Sequence, residues 1–80
     1  MAEIELSKEA KQLKLGRYRH FKGNEYDVIG VAFHSETGEE FVVYRAFYGD
    51  RNLFVRQIAM FTEEIERDGK RMKRFAYIGK

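Results

Sequence analysis

The sequence predicts a mostly β domain, about five short antiparallel strands curled into a small barrel or roll behind a short N-terminal extension. Three observations predict it. Strand-forming residues crowd two long segments, Glu25–His34 and Glu39–Tyr48, and neither carries a helical stripe. Turn chemistry punctuates the chain at short intervals. A glycine inside the first long strand, Gly30, supplies the bulge or bend that lets a small sheet curl. A flat three-stranded meander with a helix is the alternative.

Eighty residues make one domain, near the size where a single core becomes marginal. Cysteine is absent, which excludes disulfides and thiolate metal sites and suits a cytoplasmic protein. The compensating bulk is aromatic, seven Phe and five Tyr, each able to bury a large area. No apolar run is long enough to span a membrane, and the N-terminus has no continuous apolar stretch of the secretory kind.

The elements follow in order. Residues 1–15 read as the extension and 16–80 as the domain. Ile4, Leu6, Ala10, Leu13 and Leu15 are irregularly spaced, and Ser7 can cap a short helix through Lys14 that Gly16 stops. Tyr18 and His20 alternate with Arg17 and Arg19, and Lys22-Gly23-Asn24 turns the chain into Glu25–His34. Ser35-Glu36-Thr37-Gly38 forms a hairpin loop with Gly38 left-handed, leading to Glu39–Tyr48. Gly49-Asp50-Arg51-Asn52 is a tight loop before a strand at Leu53–Ile58. Asp68-Gly69 is the strongest turn signal and sets Glu63–Arg67 opposite Lys70–Arg74, which Phe75–Ile78 could extend. A single helical turn fits Ala59-Met60-Phe61.

A three-residue loop at Glu36-Thr37-Gly38 would pair Phe33 with Phe41, Val31 with Val43, Gly30 with Tyr44 and Val28 with Ala46. One face then carries Tyr26, Val28, Gly30, Ala32, Val42, Tyr44 and Ala46. The other carries Ile29, Val31, Phe33, Phe41, Val43 and Phe47. Both are apolar, so both need cover, and a second copy of the chain is one way to cover the outer face. A four-residue loop at Gly49–Asn52 would set Arg45 against Arg56, with Asp27 or a bound anion between them.

Net charge is only +2, but it is segregated. Lys8, Lys11, Lys14, Arg17, Arg19 and Lys22 face one acid, Glu9; Arg67, Lys70, Arg71, Lys73 and Arg74 face one acid, Asp68. If nucleic acid is the partner, Arg17, Arg19, Lys22, Lys70, Arg71, Lys73 and Arg74 are the phosphate contacts. Aromatics interleaved with arginines form a second constellation, Tyr18, His20, Tyr26, Tyr44, Tyr48, Arg45 and Arg56, able to stack on planar ligands and hold an anion. The competing explanation is that the tyrosines fill the core with hydroxyls at its rim.

Chemistry is poorly supported. His20 and His34 lack metal-ligand spacing, and each fits a strand-end histidine bonded to backbone. The hydroxyls Ser7, Ser35, Thr37 and Thr62 have no nucleophile context, and no glycine-rich phosphate loop exists. No metal or cofactor is expected, and the residues point away from an enzyme.

The segments Gly16-Arg17-Tyr18-Arg19-His20-Phe21-Lys22-Gly23-Asn24-Glu25-Tyr26, His34-Ser35-Glu36-Thr37-Gly38-Glu39 and Val43-Tyr44-Arg45-Ala46-Phe47-Tyr48-Gly49-Asp50 together resemble a bacterial family of domains of unknown function, catalogue number 1653. The resemblance runs from about Gly16 to Ile78 and implies an SH3-like barrel or roll, with no activity, cofactor or catalytic residue attached. This chain departs from the family pattern at Gln57 and Lys73, often proline, at Phe33, often basic, and at Phe54, often tryptophan. The expectation is a cytoplasmic binding module without chemistry of its own, for nucleic acid or protein. The alternatives are an anionic small-ligand or catalytic accessory domain around Arg45 and Arg56, and a self-associating structural domain.

Overall fold

The computed structural model describes residues 5–80, so the apolar Ile4 of the extension lies outside them. In chain order the elements are α1 (Lys8–Gln12), β1 (Gly16–His20), β2 (Glu25–Phe33), β3 (Glu40–Ala46), β4 (Leu53–Gln57), α2 (Ile58–Phe61), β5 (Glu64–Arg67), β6 (Lys70–Lys73) and β7 (Phe75–Gly79). Five strands form one antiparallel sheet in the order β4-β3-β2-β1-β7, and β5 and β6 form a separate hairpin. The protein is therefore mostly β. The curl stops short of closure, because β4 and β7 are the sheet's two edges and do not pair with each other.

Period-two alternation puts the core on one face. Tyr18, Tyr26, Val28, Val42, Tyr44 and Ala46 are buried there, closed over by Ile58 and Phe61 of α2, by Phe75 of β7 and by Ala10 of α1. Phe61 and Phe75 stack at 4.2 Å between centroids, and Tyr18 and Tyr44 meet Phe61 at 5.4 and 5.3 Å. Ser7 caps α1 as expected, its Oγ accepting the Ala10 N–H at 3.1 Å. It also moors the helix to the start of β3, donating its N–H and its hydroxyl to the two Glu40 carboxylate oxygens at 2.6 Å each.

The turns are largely where the sequence puts them. Gly38 is left-handed at φ 77°, and Asp68 and Gly69, at φ 53° and 77°, close the β5–β6 hairpin in the geometry an Asp-Gly pair favours. The hairpin pairs Glu64 with Lys73 and Arg67 with Lys70. Phe75–Gly79 does not extend β6, however. At Arg74 the chain leaves the hairpin, and β7 joins β1 in the main sheet.

Two registers differ from expectation. Phe33 faces Glu40 and Val31 faces Val42, one residue away from the expected pairing, because the β2–β3 loop takes four residues. The predicted irregularity then occurs between Val28 and Gly30, bringing Val28 opposite Tyr44 and Gly30 opposite Val43. A bulge reverses the alternation beyond it. Val31 therefore packs against the core and Phe33 shares its side, while Ile29, ahead of the reversal, keeps the outward place that alternation gives it. The β3–β4 connection is also longer than four residues, and it moves Arg45 opposite Leu53 and Arg56 opposite Val42.

Candidate functional site

That last shift dissolves the expected Arg45–Arg56 pair. Val42 points into the core, so Arg56 lies on the core side of edge strand β4 and Arg45 on the outer face. Asp27 does stand across from Arg45 on β2, but Arg45 donates to the Arg51 carbonyl at 3.0 Å instead. Arg56 donates from Nε to the Tyr44 hydroxyl at 3.3 Å, and its guanidinium sits 5.6 Å from the Phe75 ring centroid.

From Arg56 a row of rings runs across the sheet end. Phe75 meets His20 at 4.9 Å, near perpendicular, because the two residues are paired across β1 and β7. His20 lies 4.4 Å from Phe21, the first residue of the turn after β1. Phe21 donates its N–H to the Arg74 carbonyl at 2.9 Å, which tucks the turn against the β6–β7 junction. Over the Phe21 ring stand Arg67, from the tip of the β5–β6 hairpin, at 5.5 Å, and Lys22 at 5.8 Å. The row thus has Arg56 at one end and Lys22 with Arg67 at the other.

None of these three cations has a carboxylate within ion-pair distance among the described residues, whereas Arg74 is held by Glu63 through Nε at 2.8 Å. Burial, followed by Arg56, Arg74 and Lys22, holds the His20 pKa below the ordinary imidazole value. Its Nδ1 accepts the Lys22 N–H at 3.1 Å, which is how a neutral ring sits here. A negative group at this face, held by the cations rather than by the ring faces, would relieve the repulsion.

The other sequence candidates divide. Tyr18, Tyr26 and Tyr44 are core residues with hydroxyls at the rim: Tyr18 donates to the Lys14 carbonyl at 2.7 Å, and Tyr26 and Tyr48 share a hydrogen bond at 3.0 Å. Burial and that bond push the Tyr26 phenol up to about 12. Lys22 and Arg74, one from each basic segment, both lie near enough to His20 to lower its pKa. Arg17 and Arg19 instead flank Glu25 at 3.7 and 3.0 Å on the outer face. Arg71 is bound to Glu64, and Lys70 and Lys73 lie along the hairpin. His34 closes the β2–β3 loop, its Nδ1 accepting the Glu36 and Thr37 N–H groups at 3.2 Å each.

Phe21, Phe75 and Arg67 were not singled out from the sequence. Phe21 carried a signal in the run His20-Phe21-Lys22, a ring between a titratable group and a cation at a turn. Arg67 carried only its membership of the second basic segment, and Phe75 carried none, because its place depends on the chain switching sheets at Arg74.

A separate cleft of about 570 Å³ opens between α1 and β7. Tyr18, Phe61, Phe75 and Tyr77 form its aromatic walls, with Leu13 beside them and Lys14, Lys73 and Glu9 among its polar lining. Phe75 belongs to both, lining the cleft and standing in the ring row.

Residues 16–77 match the family model described as a protein of unknown function, DUF1653. A crystal structure of a protein of that family from Bordetella bronchiseptica is 32% identical and superposes with a TM-score of 0.81, over 88% of this chain and 92% of that one. No curated protein matches. The chain belongs to the DUF1653 family.

Proposed function

We propose that this domain is a non-catalytic, cytoplasmic binding module of SH3-like type that holds single-stranded nucleic acid along the ring row, with bases against His20 and Phe21 and phosphates on Arg56, Lys22 and Arg67. The observation that carries the reading is the placement of those three cations against rings and a hydroxyl rather than carboxylates. A cation resting on a ring keeps N–H donors available for phosphate, and aromatic faces accept any base. His20 and Phe21 are partly exposed, so bases can reach their faces, while Phe75 supports Arg56 from within the core. The test is fluorescence anisotropy of a labelled single-stranded oligonucleotide at low salt. Binding is expected, with Arg56→Ala weakening it about tenfold or more, as loss of a hydrogen bond to a charged group does. Arg45→Ala, on the opposite face, leaves it unchanged. Absence of binding at low salt overturns the proposal.

The cleft favours a second reading, a small apolar carboxylate against the aromatic walls with its charge toward Lys14 and Lys73. Its volume falls within the usual range for small-molecule sites. A thermal-shift screen of arylcarboxylates against their amides tests it. Stabilisation by the acids alone, lost in Lys73→Ala, supports it, and equal or no effect of both sets refutes it.

A further inference from the structure

The outer face of the sheet carries an apolar stripe that nothing among the described residues covers. Cross-strand pairing makes it continuous: Val55 lies beside Val43, which lies beside Gly30, with Leu53 on β4 and Phe41 on β3 flanking this line. Ile29, next to core-facing Val28 on β2, adds to it on the same outer face. Val55 is 61% exposed, Leu53 53% and Ile29 46%, although all three are strand residues. Half-exposed aliphatics aligned across three strands form a patch of the kind that marks an interaction surface.

The ends of the stripe differ in charge. At the β2–β3 loop end stand Glu36 and Glu39, and Gln57 on β4 donates to Glu39 at 2.6 Å. At the opposite end stand Arg45 and Arg51, with Arg17 and Arg51 bracketing the Phe47 ring at 4.3 and 5.8 Å. The acids at that end are Glu25, engaged by Arg17 and Arg19, together with Asp27 and Asp50. No arginine or lysine lies between Glu25 and Glu40, so the loop end has no cation of its own sequence to offset its acids. A two-fold axis crossing the strands would bring the acidic end of one stripe over the basic end of its copy.

We infer that this face binds a second copy of the chain, giving an isologous dimer in which two sheets pack face to face through Val55, Val43, Leu53 and Ile29, with Glu39 of each protomer near Arg45 of the other. Sheets packing this way interdigitate apolar side chains, and self-complementary charge fixes their relative direction. The ring row faces the other way, so the dimer would present two nucleic-acid faces outward. The dimer nevertheless stands or falls independently of that binding.

Sedimentation of the purified chain across a wide concentration range tests this. The expected species has twice the 9.5 kDa chain mass. Val55→Lys should raise the dimer dissociation constant at least tenfold with the melting temperature of the monomer unchanged, because the side chain is exposed. Glu39→Arg and Arg45→Glu should each weaken the dimer severalfold, and the double variant should recover most of the loss. A monomer at every concentration overturns the inference, as does a dimer indifferent to Val55→Lys or a charge pair without recovery. A dimer weakened by Arg56→Ala but not by Val55→Lys would place the contact elsewhere and overturn it as well.

Discussion

Phe75→Leu separates a ring-built core from one that merely needs apolar volume. Phe75 is 3% exposed and meets four rings: Phe61 stacked at 4.2 Å, His20 at 4.9 Å, Tyr44 at 5.4 Å and Tyr26 at 5.7 Å. Aromatic pairs contribute about 0.5–1.5 kcal/mol each beyond area burial, which bounds the loss between about 2 and 6 kcal/mol. Leucine keeps much of the apolar burial and restores some dispersion, and such contacts are not additive, so we expect a net cost of about 3 kcal/mol. For a domain of this size total stability is about 4–12 kcal/mol, so the variant stays folded with a much reduced margin. Urea denaturation followed by tyrosine fluorescence gives the number, and the melting temperature should fall by about 4–8 °C for each kcal/mol. A loss below about 1.5 kcal/mol, the range of a tolerated core swap, would refute the reasoning. The same variant removes the surface on which Arg56 rests, so nucleic-acid binding measured where the protein is still folded should weaken too.

Three further outcomes follow. His20 has its pKa held below 6.5, so the unfolded chain takes up a proton first as pH falls. Stability should therefore be complete above that value, decline as pH drops through it and level off once folded His20 protonates; His20→Gln should remove the dependence, and a gain of stability on acidification would contradict it. Tyr48→Phe should lower the Tyr26 phenol from about 12, read by ultraviolet titration, because the Tyr48 hydroxyl contributes to raising it; an unmoved titration would assign the whole effect to burial. Gly16→Ala would put a methyl 2.8 Å from the Gly79 carbonyl oxygen at φ 133°, so it should cost more than about 1 kcal/mol and expose β1–β7 amides to hydrogen exchange; a neutral result would show that this strand end is free to shift.

The sequence was informative wherever chemistry is local. Asp68-Gly69, Gly38 and Ser7 each impose a backbone geometry through their own side chain or its absence, and each occurs where that chemistry predicts. Alternation placed Tyr26, Val28, Val42, Tyr44 and Ala46 on the core face. What failed was the step from turn to register. Gly30 marks the bulge, but uninterrupted alternation along β2 puts Val31 and Phe33 on the outer face, and the bulge reverses both. One added residue in the β2–β3 loop and a longer β3–β4 connection moved every partner, and Arg45 and Arg56, assigned to one face, lie on two. Loop length is set by how strands twist and meet, which no short stretch of sequence encodes. The ring row depended on something further removed, the departure of the chain from the β5–β6 hairpin at Arg74, which alone brings Phe75 to His20. The interleaving of rings with cations was nevertheless visible, and His20, Arg56, Tyr44, Lys22 and Arg74 do gather at one end of the core face.

The most direct test of the account is the salt dependence of oligonucleotide binding in the wild-type chain and in Arg56→Ala. Three cations without a carboxylate partner among the described residues, each neutralising one phosphate of a single strand, give a slope of log K against log salt of about −2, and removing Arg56 reduces it to about −1.4. A slope near zero, or one that Arg56→Ala leaves unchanged, would contradict the claim that the ring row and its cations form the binding surface.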